Sequence, residues 1–346
     1  MKPSAPLTLN PTRKINIWML IICIGMLVLG QIPAIIPGAM SDLVRLYAFN
    51  TLLVEIACFY VPVTIFVERN GGKSAFGFHR ISGWEWVWAA LIGFGAFFLV
   101  TAVNGFLQLM WAAVGANTEL FQAPIPTDGG WRLLASIFLI AVIPAFVEEA
   151  LFRGAFMHAW LPQGKTKALW LTAILFSLIH LQPAAFPAYL LLSLVLGGVT
   201  LLTGSVYPAM AIHGVNNLLA VLITYFAAGG LASAPEPAIT AAIIPGLLFY
   251  AALGCVACFS GYKGLRVASA NRRQALEEDG KEEFHRLGFD TLKPEPPTSV
   301  ETAAMEAPAK QNTGTWALVV TYVILGLINL AILILMFVDL PQILPI

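Results

Sequence analysis

Charged residues are scarce in this sequence. Lys and Arg number 19 and Asp and Glu 19 in 346 residues, 11% together, against 58% hydrophobic. Soluble domains carry about a quarter charged residues, so a soluble globular chain is excluded and length gives no domain count. The formal net charge is zero. No basic patch or aromatic–basic interleaving falls in the apolar stretches, which excludes a nucleic-acid partner. Cysteine is equally sparse. Cys23, Cys58, Cys255 and Cys258 all lie in apolar segments. The Cys255-x-x-Cys258 pair has no Cys or His at ligand spacing to complete a zinc site, so all four read as small buried side chains. No internal repeat is evident, which weighs against an inverted-repeat transporter.

Apolar runs are what the chain has in abundance, with a mean hydropathy of +0.80. A membrane helix needs about 20 apolar residues. Candidate spans fall at 15–36, 43–67, 84–112, 131–160, 167–181, 184–203, 205–228, 239–262 and 315–338, the fifth being short. The expected fold class is all-α, a polytopic transmembrane helix bundle of eight to nine spans. Lys2, Arg13 and Lys14 precede the first run, which is longer than a signal-peptide core and lacks a clear small-x-small cleavage site. It is expected to stay as a membrane helix.

Positive charge predicts a cytoplasmic N-terminus. Inside segments then hold Lys2, Arg13, Lys14, Arg69, Lys73, Arg80, Lys165, Lys167 and the eight Lys and Arg from Lys263 to Lys310. Outside segments hold only Arg45 and Arg132, together with Glu119, Asp128 and Glu236. Merging 167–203 into one span would export the basic loop, so a break is expected at Gln182-Pro183. The organisation reads as two N-terminal helices in 1–83, a core in 84–228 and an eighth helix in 229–262. A cytoplasmic hydrophilic linker in 263–314 and a last helix in 315–346, peripheral to function, complete it. The linker starts with a stretch that could be a charged surface helix and ends in a Pro-rich, disordered composition.

Against this apolar background a few polar residues stand out. Glu148 and Glu149 are adjacent inside WRLLASIFLIAVIPAFVEEALFRGAF, residues 131–156. A carboxylate in a span costs several kcal/mol and usually marks a functional site. Glu149 and Arg153 share a helix face and can pair, whereas Glu148 points about 100° away and is left free to act as a base. Phe176 lies one turn from His180 and can wall a pocket beside it. His213 and Asn217 share another face, with Asn216 slightly off it, and can donate towards a single point as a pair of oxyanion donors. At 1.5 Å per residue from the nearest cytoplasmic boundary, Glu148 lies roughly 20 Å deep, His180 about 18–20 Å, His213 about 12 Å and Asn217 about 18 Å. Three helices thus bring polar groups to a similar level. Pro144 removes a backbone bond and is expected to kink its helix four residues before Glu148.

The pattern Glu148-Glu149-x-x-x-Arg153, Phe176-x-x-x-His180 and His213-x-x-x-Asn217 resembles the CPBP family of intramembrane endopeptidases. That family takes in CAAX prenyl proteases and bacteriocin-processing or immunity (Abi-type) membrane proteins. The resemblance covers about residues 84–228. It implies an all-α membrane bundle and peptide-bond hydrolysis without a cofactor, in a bacterial inner (plasma) membrane. It also implies roles. Glu148 and His180 would activate a water, His213 and Asn217 would stabilise the oxyanion, and Glu149 and Arg153 would hold the site or contact the substrate. The implied partners are the lipid bilayer and a peptide or protein substrate that could be lipidated or membrane-inserted. Zinc proteases typically place two His at i and i+4 around a Glu, and that spacing is lacking. Two Glu and two His could still gather a zinc at Glu148, His180 and His213.

Two other readings use the same residues: a proton-coupled transporter with a carboxylate–His relay, and a non-catalytic membrane scaffold retaining the family fold. Elsewhere, Glu55 reads as a lone buried polar group or part of a substrate path, and Asn104 and Gln108 as helix contacts. His158, near the cytoplasmic boundary beside Trp160, reads as interfacial. His79 and His285 carry no visible chemistry.

Overall fold

The computed structural model describes residues 11–117, 125–126, 129–231, 241–279 and 314–337. Glu119, Asp128, Glu236, His285 and most of the hydrophilic linker lie outside the described residues. Among those described there is no strand, and nine helical segments follow one another. They are α1 (Pro11–Ile35), α2 (Leu43–Arg69), α3 (Gly83–Ala113) and α4 (Gly130–Gln163), then α5 (Lys165–Ile179) and α6 (Pro183–Thr203). The last three are α7 (Tyr207–Leu231), α8 (Ile244–Asp279) and α9 (Thr315–Leu335). Eight are long and apolar enough to cross a membrane, α5 being the exception. The protein is a multi-pass, all-α integral membrane bundle.

Local chemistry sets the helix boundaries. Ser82 and Glu85 form a reciprocal capping box that starts α3. Asp42 accepts from the Arg45 N–H at 3.1 Å and starts α2. The break between α5 and α6 falls where Gln182-Pro183 predicts it, with Leu181 in the left-handed region at φ 53°. The α8 helix runs on to Asp279, so the opening of the hydrophilic stretch continues the span.

Contacts at the helix ends show an up-and-down arrangement. At one end Thr12 bonds the carbonyl of Ala159, Lys14 donates to Asn70 at 3.0 Å and Trp160 donates to Asn16 at 2.9 Å. Arg272 of α8 pairs with Glu85 at 2.9 Å and donates to the carbonyl of Thr203, tying α8, α3 and α6 there. At the other end Arg132 pairs with Asp42, and Trp111 donates to the carbonyl of Ala184. The loops thus divide between the two ends as the charge pattern divides them. Trp160 is 1% exposed and ties α4 to α1.

Apolar side chains form two clusters. One gathers Phe66, Phe152, Phe156, Trp160, Leu175 and Phe176 between α2, α4 and α5. The other packs α3 against α6, α7 and α8 around Ile92, Leu196 and Ile212. Lipid is as apolar as these cores, so close backbone approach has to supply the adhesion. It does so where α3 meets α8. A Cβ on Gly254 would sit 2.7 Å from the Gly95 carbonyl oxygen and 2.9 Å from the Leu99 nitrogen.

Pro62 and Pro144 each follow a widened, π-helical turn, at Thr51–Tyr60 and Ile137–Val142. A third such stretch, Ala150–Met157, follows the glutamate pair. A proline lacks the N–H and crowds the carbonyl four residues back, and the wider turn accommodates it. The break expected at Pro144 takes this form. Such turns are rare and concentrate at functional sites.

Two outcomes follow. Gly254→Ala is expected to destabilise the bundle by about 1–3 kcal/mol through forced separation of α3 and α8, read as a lower melting temperature in detergent. Gly198→Ala, where a Cβ meets nothing within 4 Å, should not lower it. Burial, with His158 and Arg272 adding to it, pushes His79 in the α2–α3 loop from its ordinary 6.5 down to about 4. The unfolded chain takes up this proton first as pH falls. Stability from this group should therefore be intact above pH 6.5 and drain away towards pH 4, and melting across that range should be flatter in His79→Asn.

Candidate active site

The site is built around Glu149 and Arg153, both completely buried on α4. Arg153 Nη1 donates to Glu149 Oε1 at 2.8 Å, and Nη2 donates to Ser193 Oγ at 2.6 Å and to the Ser193 carbonyl at 3.1 Å. Its guanidinium carbon lies 4.6 Å from the centre of the Phe176 ring. The same Glu149 oxygen lies 2.9 Å from His213 Nδ1. A carboxylate only accepts, so Nδ1 carries the hydrogen. One oxygen thus joins α4 to α7, and its partner Arg153 reaches α6.

Glu148 points elsewhere. It is 9% exposed and lines a cavity of about 310 Å³ with His180 of the α5–α6 turn and Glu55 of α2. Glu148 Oε2 and His180 Nε2 are 3.9 Å apart, too far for a direct hydrogen bond. His180 Nδ1 lies 2.6 Å from the carbonyl of Phe176. The carbonyl can only accept, so Nδ1 bears the hydrogen in that bond and neutral imidazole keeps its lone pair on Nε2, towards Glu148. Phe176 and Tyr189 both pack against the imidazole, with ring centres 4.6 and 4.2 Å away. The left-handed backbone at Leu181, costly for a non-glycine residue, turns the chain directly after it.

His213 and Asn217 do not line this cavity. His213 is 3% exposed, and its ring centre is 5.9 Å from that of Phe176, so Phe176 touches both imidazoles. Asn217 Nδ2 donates at 3.0 Å to the carbonyl of Ile140. Pro144 has no N–H to offer that carbonyl, and the amide supplies a donor. Asn216 Nδ2 donates in turn to Asn217 Oδ1 at 3.0 Å. His213 and Asn217 thus have separate partners, Glu149 and the Ile140 carbonyl.

The zinc donor set does not fit. Among the described residues no three His, Cys, Asp or Glu side chains are gathered as a metal site. His213 turns to Glu149, while His180 faces Glu148.

Sequence reasoning passed over Tyr189 and Ser193, which lie one turn apart on α6. A polar pair at that spacing in an apolar span was the available signal. Glu55 carried the same signal as Glu148, a carboxylate in a span, yet nothing local could show that the two face one cavity.

Residues 130–219 match the family model described as type II CAAX prenyl endopeptidase Rce1-like. Over that stretch the chain resembles the Rce1-like proteases. The matched segment runs from the start of α4 into α7 and holds Glu148, Glu149, Arg153, Phe176, His180, His213 and Asn217, whereas Glu55 lies outside it. A search of curated proteins and a search of solved structures each returned no match.

Glu149→Ala would strand the Arg153 charge, at a cost of about 3–5 kcal/mol. Replacing both partners with Glu149→Leu and Arg153→Met should cost less than the single change. Chemical denaturation in mixed micelles checks the order, and a double variant as unstable as the single one would contradict it.

Proposed function

We propose that the protein is an intramembrane endopeptidase in which Glu148 and His180 activate the attacking water. The observation that carries this reading is the 3.9 Å separation of Glu148 Oε2 and His180 Nε2 on one cavity. Both atoms can accept. A water placed between them gives one hydrogen to each and directs a lone pair at a substrate carbonyl. As the O–C bond forms, Glu148 takes the water's proton. The proton then passes through the Glu148–His180 pair to the leaving nitrogen as the C–N bond breaks.

Negative charge developing on the carbonyl oxygen is assigned to His213 and Asn217, which lie outside the cavity lining and would have to be uncovered as the substrate enters. Glu149 fixes the His213 ring through Nδ1 and directs its other nitrogen away, and Asn217 retains a second amide hydrogen beyond the one given to Ile140. Arg153 acts through Glu149 and Phe176 as a positioning residue. Supporting the reading as a whole is the similarity of residues 130–219 to type II CAAX prenyl endopeptidases. It makes a peptide ending in a prenylated cysteine and three further residues the first substrate to try. The bundle end that holds Arg13, Lys14, Arg69, Lys73, Arg80, Lys165 and Lys167 is placed on the cytoplasmic side.

The test is cleavage of internally quenched peptides, prenylated and unmodified, by purified protein in detergent. Glu148→Gln and His180→Ala are expected to lower kcat by about 10²–10⁴-fold, and Asn217→Ala by about 10²–10³-fold. A chelator should leave the wild-type rate unchanged. Turnover by Glu148→Gln at the wild-type rate would overturn the mechanism.

A further inference from the structure

The mechanism leaves one carboxylate on the cavity without a task. Glu55 sits in the widened turn Thr51–Tyr60 of α2, is 6% exposed and lines the same cavity as Glu148 and His180. Its buried Oε2 has no hydrogen-bond partner. Among the described residues no Lys or Arg pairs with it; Arg153, on the neighbouring α4, is taken by Glu149 and Ser193. A buried acceptor left bare is costly, more so in a membrane protein. Glu149 Oε2 is bare as well, but the other oxygen of Glu149 holds Arg153 and His213. The rest of the wall is mixed. Gln31 and Asn50 bring amides, while Met26, Phe59 and Ile179 bring apolar surface.

We propose that Glu55 is a specificity-determining residue. It receives a cationic group of the substrate, a Lys or Arg side chain close to the scissile bond, while the apolar wall takes the neighbouring residues. The substrate class is then an apolar peptide segment interrupted by one basic residue. This deepens the hydrolase reading and rests on it for the scissile bond alone. A carboxylate is the side chain that can satisfy an ammonium or guanidinium in such surroundings, by charge and by hydrogen bonding together. An uncharged peptide of equal size would fill the same space and leave Oε2 bare. Because α2 lies outside the matched segment 130–219, this selectivity is a property of the chain's own N-terminal helices.

Binding tests this without turnover. Full-length Glu148→Gln protein in detergent is titrated with a fluorescein-labelled Ala/Leu peptide carrying one Lys, and with its twin carrying norleucine in that position. Anisotropy gives each Kd. The Lys peptide is expected to bind about 30-fold more tightly or better. Glu55→Gln, nearly the same shape, should erase the difference, and Glu55→Lys should favour a twin peptide carrying Glu. Equal binding of Lys and norleucine peptides to protein that retains Glu55 would overturn the proposal. So would a preference that survives Glu55→Gln, or failure of the Lys peptide to bind. Wild-type cleavage assays decide the hydrolase reading separately, since a lysine preference in binding stands whether or not the bond is cut.

Discussion

One carboxylate oxygen holds this molecule's centre in place. Glu149 Oε1 takes hydrogen bonds from Arg153 and from His213, and Arg153 continues to Ser193. Within lipid each of these charges would be expensive alone, and together they offset one another. The result is a fixed register between α4, α6 and α7. Phe176 fills the space beside the network and touches both imidazoles, so α5 is fixed as well. Glu148, one residue earlier on α4, is thereby turned the other way, into the cavity. The division of labour between adjacent glutamates follows from the helix: one is spent on structure, and its neighbour about 100° round is kept free.

The two sides of Phe176 differ in character. On one side lies a fully buried network in which carboxylate and guanidinium pair directly, with Glu149 Oε2 and Arg153 Nε left over. On the other lies a cavity whose carboxylates, Glu148 and Glu55, have no Lys or Arg bonded to them among the described residues. A site that performs chemistry needs rigid positioning and spare hydrogen-bonding capacity in close reach, and this packing separates the two by a single ring. The widened turns next to Pro62 and Pro144 serve the same end. They loosen the backbone ladder locally, and Asn217 takes up the Ile140 carbonyl that Pro144 cannot serve.

Much of this was readable from residues alone, and the limits are physical. Span positions follow from apolar length, and the α5–α6 break follows from Gln182-Pro183, because both are local rules. The Glu149–Arg153 pair is equally local, being one helical turn. The His213–Glu149 bond depends on how α7 is rotated against α4, which no spacing within either helix encodes. Depth along the membrane placed Glu148 and His180 at one level, but depth is one coordinate of three. It could not show that Phe176 would contact both His180 and His213, or that Glu55 would share the cavity. Nor could spacing pair the Trp160 indole with Asn16 on α1, a partner 144 positions away.

The α9 helix bears on all of this from outside the matched segment, although its sequence read as peripheral. Tyr322 donates to the Leu171 carbonyl at 2.6 Å and Asn329 to the Leu178 carbonyl at 2.9 Å, both on α5, the short helix that ends at His180. Leu178 and Asn329 stand 151 positions apart. Two backbone carbonyls of α5 are therefore served by a helix far along the chain. Loss of α9 would uncover both carbonyls and loosen the turn that carries His180, so a change far along the chain reaches the cavity wall.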